Sequence, residues 1–441
     1  MRFDRLSVSV VAALLLASPL ASAQSNPIPK QLSGPPAEFD AMRAPTPEST
    51  TIHSKSALLP VHLATTKSGA GQWSARIPVE SGNARFVVFA GRTGAWDVAL
   101  KGSNGTTEKA ARRTVTELGM EQASHAGDYF SYTNLAGGTR ELSIRATANA
   151  PRDGFVLLEG DARTELAAHP THLNQLAGER IGLTAMLTAV DDGENVVLGK
   201  AAGGVSRAEL AVTFPDGARR TFPMFDDGRH GDAAAADGVY GGDFVAEKAG
   251  SYLAQVVVHG TNRAGQPIVR TTEHVLPVVE RTVSLAGAAR GIASEDTRVA
   301  IRLPVETTAK AAGAHYRAYA EVWGRNASGA ATPIAWVGGM VDAASGGLEL
   351  GFDERWVARA GARGPYQLRN VRIEDPDHFV TIAASDALDL ELPAIRTKAA
   401  PSSIAIDEAM TMGKRPNALV ETKGVGTRLL LVHGYCSGGV W

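Results

Sequence analysis

Cysteine is almost missing from this chain: Cys436 is its only one. No disulfide can form within the chain, so each domain has to hold together by apolar burial. An excess of either charge is missing too. The 44 basic and 46 acidic side chains leave a formal net charge of −2, which gives no field to attract nucleic acid or an anionic membrane surface. Apolar runs long enough to cross a bilayer core, about 20 residues, do not occur. Neither His-Glu-x-x-His nor Gly-x-Ser-x-Gly is found at any position. A zinc-peptidase helix and a serine nucleophile on a sharp strand-to-helix turn are therefore both excluded from the chain.

What is present begins with an export signal. Arg2 and Arg5 precede the apolar stretch from Val8 to Ala17, and Ala21-Ser22-Ala23 supplies the small residues a signal peptidase needs. Residues 1–23 are thus expected to be cleaved, releasing a mature chain without a transmembrane segment into the periplasm or the medium. Residues 24–50 carry Pro27, Pro29, Pro35, Pro36, Pro45 and Pro47 with few large apolar groups. That composition reads as an extended Pro-rich linker.

From residue 51 the pattern has period two, the signature of half-buried strands. Phe86, Val88 and Ala90 alternate with Val87 and Phe89, and Leu142, Ile144 and Ala146 alternate with polar residues. Leu210, Val212 and Phe214 run into the turn Pro215-Asp216-Gly217, and Tyr252, Ala254, Val256 and Val258 repeat the pattern. Further on, Tyr316, Ala318, Ala320 and Val322 share one face, as do Leu348, Leu350 and Phe352. The prediction is a mostly-β chain of three consecutive β-sandwiches of jelly-roll or immunoglobulin-like type, over 51–165, 166–280 and 281–395. Residues 396–427 lose the alternation and read as a second linker.

The most distinctive internal segment lies in the second block. It runs Phe225-Asp226-Asp227-Gly228-Arg229-His230-Gly231-Asp232 and continues to Asp237-Gly238-Val239-Tyr240. Asp226, Asp227, Asp232 and Asp237 fall close together between glycines that let the backbone turn tightly. Carboxylates converging on a turn would suit calcium, which takes 6 to 8 oxygen ligands, although the spacing is not that of an EF-hand. Equally, Asp and Gly can simply shape a long turn between two strands. The segment resembles a signature of bacterial extracellular immunoglobulin-like modules, including domains of choice-of-anchor type.

The last fourteen residues change character. Leu429 to Val432 is a continuous apolar run, as in a strand buried on both faces of a parallel sheet. His433-Gly434-Tyr435-Cys436-Ser437-Gly438-Gly439 follows. This resembles the loop after the third strand of α/β-hydrolases of lipase or esterase type. The resemblance implies that residues 428–441 begin such a domain, with the Tyr435 backbone N–H as an oxyanion-hole donor beside Gly434, and His433 structural. Nucleophile, acid and base would all lie beyond Trp441, so the chain as written has no triad and is expected to be inactive.

Two readings follow. In the first, the sandwiches are the non-catalytic front of an exported serine hydrolase cut short near its oxyanion loop. In the second, the chain is a secreted or surface binding or adhesion protein without enzymatic activity, with calcium as a candidate cofactor. Its partner would then be a cell-surface or extracellular polymer. Trp73, Trp96, Trp323, Trp336 and Trp356 are its candidate sugar platforms, with core packing as the alternative for each.

Overall fold

The computed structural model describes residues 31–102, 105–114, 127–160, 163–311, 313–343 and 347–413. The signal segment 1–23 and the hydrolase-like segment 428–441 lie outside the described residues. The chain divides into two units, one of residues 43–281 with 380–382, the other of residues 1–42, 282–379 and 383–441.

The unit built on 43–281 holds two β-sandwiches. In the first, a four-stranded sheet contains Gly71–Val79, Gly138–Ala146 and Asp97–Lys101, and a five-stranded sheet contains Ser56–His62, Asp153–Glu159 and Ala84–Phe89. Alternation decides which side chains go inside. Ile77, Leu100, Leu142 and Ile144 from one sheet meet Phe86, Val88, Val156 and Leu158 from the other in one core. Each such side chain stabilises the fold by about 1.5–3 kcal/mol on full burial. Alternation does not imply a polar exterior here. Phe155 and Leu157 point outward, cross-strand from Phe89 and Val87.

The second sandwich pairs Thr164–Pro170, Arg180–Val190 and Val239–Val245 against a sheet of Arg219–Pro223, Gly203–Thr213, Gly250–Asn262 and Pro267–Val278. Its core takes Ile181, Leu183, Leu210, Val212, Tyr252, Val256 and Phe244. The short strand Ile52–Ser54 pairs with Thr164–Pro170 and so joins the second sandwich, not the first.

Long-range polar contacts weld these two domains. Arg270 of the second is fully buried and forms a two-pronged ion pair with Glu80 of the first, both contacts 2.7 Å. Its Nε also donates to the Thr164 carbonyl at 2.9 Å. Beside this pair, the Leu58 N–H donates to Thr271 Oγ1, and Gln255 Nε2 donates to the Leu58 carbonyl. Val269 packs into the core of the first domain.

In the other unit an eight-stranded sheet runs in the order Gln31–Gly34, Ala331–Asp342, His315–Arg325, Arg363–Glu374, Thr381–Glu391, Ala289–Ala293, Arg298–Arg302 and Glu349–Asp353. Both expected linkers are ordered over their described parts. Gln31–Gly34 extends the sheet as an edge strand, and Phe39 and Met42 are buried against Tyr319 and Trp336. The prolines do not prevent this, because Pro36 and Pro47 sit at the starts of 3₁₀ turns, where a missing N–H costs nothing. At the other end, the Arg396 and Thr397 N–H groups bond the buried Glu354 carboxylate, and Met410 is fully buried. Asp407 pairs with Arg355, and the Gly413 N–H donates to the Gln31 carbonyl. A few anchors docked on an existing sheet suffice, and local composition does not reveal them.

Candidate functional site

The acidic loop connects Arg219–Pro223 to Val239–Val245. Asp226 accepts from the N–H groups of Asp237 and Gly238 at 3.0 and 3.1 Å, closing the loop at its base. Asp227 accepts from Arg229, and Asp237 from Val239. Asp232 is buried and accepts from Gly228 at 2.7 Å and from Ala234 at 3.1 Å. All four carboxylates thus hold backbone donors within their own loop, which is the turn chemistry that Asp supplies. Among the described residues no group of three His, Cys, Asp or Glu converges as metal ligands.

Gly238 is required where it stands. Its φ is +92°, and a Cβ there would meet the Lys200 nitrogen at 2.5 Å. His230, the histidine of the motif, bonds Asp243 at 2.8 Å. Burial pushes the Asp243 carboxyl up, but its bonds to His230 and Arg180 outweigh this and leave it below the ordinary value.

Three of the five candidate tryptophans are buried and two are half-buried. Trp96, Trp336 and Trp356 are buried, and Trp73 and Trp323 pack against the apolar clusters of their domains. Trp96 donates to the Pro151 carbonyl, Trp336 to Glu38 and Trp356 to the Met410 carbonyl.

A site that no sequence motif announces lies between the first two domains. An open cleft of about 690 Å³ is lined by Arg76, Pro78 and Thr139 from the first, and by Arg207, His259 and Ile268 from the second. Arg76 Nη2 donates to Thr139 Oγ1 at 3.0 Å, and Arg207 Nη2 donates to His259 Nε2 at 3.2 Å. Burial and then the Arg207 charge hold the His259 pKa below its ordinary value, against a smaller opposing effect of Glu209. Arg207 owes its position to a β-bulge. The pairing with Gly250–Asn262 shifts register between Val205 and Arg207, leaving Ser206 as the extra residue.

Three successive family models match this chain. They describe the first, second and third immunoglobulin-like domains of conditioned medium factor, over residues 56–158, 164–278 and 317–414. The chain therefore carries three immunoglobulin-like domains. Conditioned medium factor of Dictyostelium discoideum is 25% identical over 478 residues, covering 94% of this chain and 68% of that protein. Among solved structures, a DUF4785 family protein from Legionella pneumophila aligns with a TM-score of 0.50 and 12% identity. It covers 80% of this chain and 95% of its own. At that identity the likeness concerns the fold alone.

These matches correct the resemblance to an exported α/β-hydrolase with choice-of-anchor-like domains. The domains match the immunoglobulin-like domain models of conditioned medium factor, and these matches give the hydrolase reading no support. That reading rested on His433, Gly434 and Tyr435 after an apolar run, all outside the described residues. A buried strand followed by a Gly-rich turn is a common local pattern and does not by itself specify a catalytic domain. Among the described residues, no helix is long and apolar enough to cross a membrane.

Proposed function

We propose that this chain of three immunoglobulin-like domains is an exported recognition protein, acting by binding partners outside the cell. The observation that carries the reading is the run of three matches in order, together with similarity to conditioned medium factor over 94% of the chain. The name of that relative describes a factor of the medium, and the Arg2 to Ala23 segment supports export of this one. The fold suits the task, since sandwiches are rigid frames that present loops and sheet faces to partners.

The reading is tested by expressing the full chain from its own locus and fractionating the culture. The expected result is protein in the periplasm or medium, with an intact mass beginning at Gln24. The labelled protein should then bind producing cells saturably, in competition with unlabelled protein. Uncleaved protein confined to the cytoplasm, or binding that never saturates, overturns it.

A further inference from the structure

The strongest unassigned feature is the cleft between the first and second domains. Its walls bring two guanidinium groups and an imidazole to one opening, and no Asp or Glu lines it. Arg76 has no carboxylate partner among the described residues and donates to the Thr139 hydroxyl. Arg207 touches one carboxylate, Glu209 at 3.4 Å, and otherwise directs a donor at His259. Two guanidinium groups and an imidazole face a shared space in which, among the described residues, Glu209 is the one carboxylate in contact; Glu80 is buried on Arg270, and Glu141 sits on Lys101. A guanidinium is a planar fork of donors that matches the two oxygens of a carboxylate or sulfate. Pro78, Pro267 and Ile268 supply apolar surface between the polar groups. The volume of about 690 Å³ is within the usual range for small-molecule sites, which favour domain junctions.

We propose that this cleft is a binding site for an organic oxyanion, its carboxylate or sulfate held by Arg76 and Arg207 and its body lying on Pro78, Pro267 and Ile268. The bulge at Ser206 directly precedes Arg207, and the buried Glu80–Arg270 pair ties the two domains together next to the lining residue Val269. Glu209 is the internal competitor, since it holds Arg207 when no ligand does.

The experiment is calorimetric titration of the full chain with two probes, digalacturonate for the end of an acidic polymer and succinate for a free organic acid. Saturable binding of either is expected, and the tighter probe identifies the source. R76Q and R207Q should each weaken it at least about tenfold, because charge-assisted bonds are among the stronger ones. E209Q should strengthen it by freeing Arg207. Arg76 and Arg207 are both exposed, so these variants are expected to keep the melting temperature of the parent. Inorganic sulfate should displace the bound probe. The proposal is overturned if neither probe saturates at millimolar concentration, if R76Q and R207Q bind like the parent, or if sulfate fails to compete.

Discussion

The acidic loop and the junction between the first two domains use charge in opposite ways. In the loop, Asp226, Asp227, Asp232 and Asp237 crowd one short stretch, yet each carboxylate is held by a backbone N–H of that stretch. At the junction, residues far apart in the chain meet. Glu80 and Arg270 are 190 positions apart and bury each other, whereas Arg76 and Arg207 remain at an open cleft. Density of charge along a sequence therefore reports a turn, because neighbouring carboxylates have neighbouring N–H groups to bind. Availability for a ligand depends on which charges the fold leaves exposed at an open surface, as it does Arg76 and Arg207.

The largest expected effect tests the buried half of the junction. Arg270→Met removes the two-pronged partner of the buried Glu80 carboxylate. Breaking such a pair from one side costs about 3–5 kcal/mol. Urea unfolding of the unit containing the first two domains should show a loss of that size. Replacing both partners by apolar residues should recover much of it, since the desolvation penalty then disappears with the charges. A loss under about 1 kcal/mol for the single variant would mean that the pair behaves like a surface contact, and the contrast with the exposed cleft would fail.

A second test concerns a buried titratable group outside both the loop and the cleft. His274 lies in the second domain and bonds Thr272 Oγ1 at 3.1 Å. Burial, and then the charge of His169, lower its pKa from 6.5 to about 4. A depressed histidine pKa means that the folded state binds fewer protons than the unfolded one. The stabilisation is complete above pH 6.5 and is lost as the pH falls toward 4. At about 1.4 kcal/mol per unit the full effect is about 3 kcal/mol. The unfolding free energy should drop by that order across the window, and His274→Gln should flatten the slope. A slope unchanged by the substitution would assign the acid sensitivity to other groups.

These contrasts explain what could be read in advance. The β-sandwich architecture was legible because alternation is local: Leu142, Ile144 and Ala146 declare an inner face without reference to any other strand. The Asp and Gly spacing of the acidic segment is local in the same way, and the structure shows its carboxylates bonded to nearby N–H groups. Glu80, Arg270, Arg76 and Arg207 were not, because nothing beside each of them in sequence marks its spatial partner. The two supposed linkers failed similarly. Phe39, Met42 and Met410 are isolated apolar residues in polar stretches, and their burial depends on surfaces supplied hundreds of residues away.

Within the loop, Asp226→Ala is the substitution with most consequence. It removes both acceptors that tie Asp237 and Gly238 to the start of the loop. The bonds are partly exposed, so a loss of about 1–2 kcal/mol is expected. Asp227→Ala removes one exposed bond and should cost less. Comparable losses from the two variants would show that the loop is not closed at Asp226.

The smallest expected effect decides most directly how the loop and the cleft differ. A ligand that binds only the folded state raises its melting temperature through mass action. Calcium at a real site would have to gather several of these carboxylates onto one ion, and among the described residues no three are placed to do so. The loop would have to rearrange to bind it, and that cost opposes binding. Millimolar calcium should accordingly leave the melting temperature within about 1 °C of the value in chelator. A rise of several degrees, abolished by Asp232→Asn, would mean that the carboxylates reorganise around a cation. The loop, like the cleft, would then be a binding site, and the division drawn between self-satisfied and available charge would not hold for this protein.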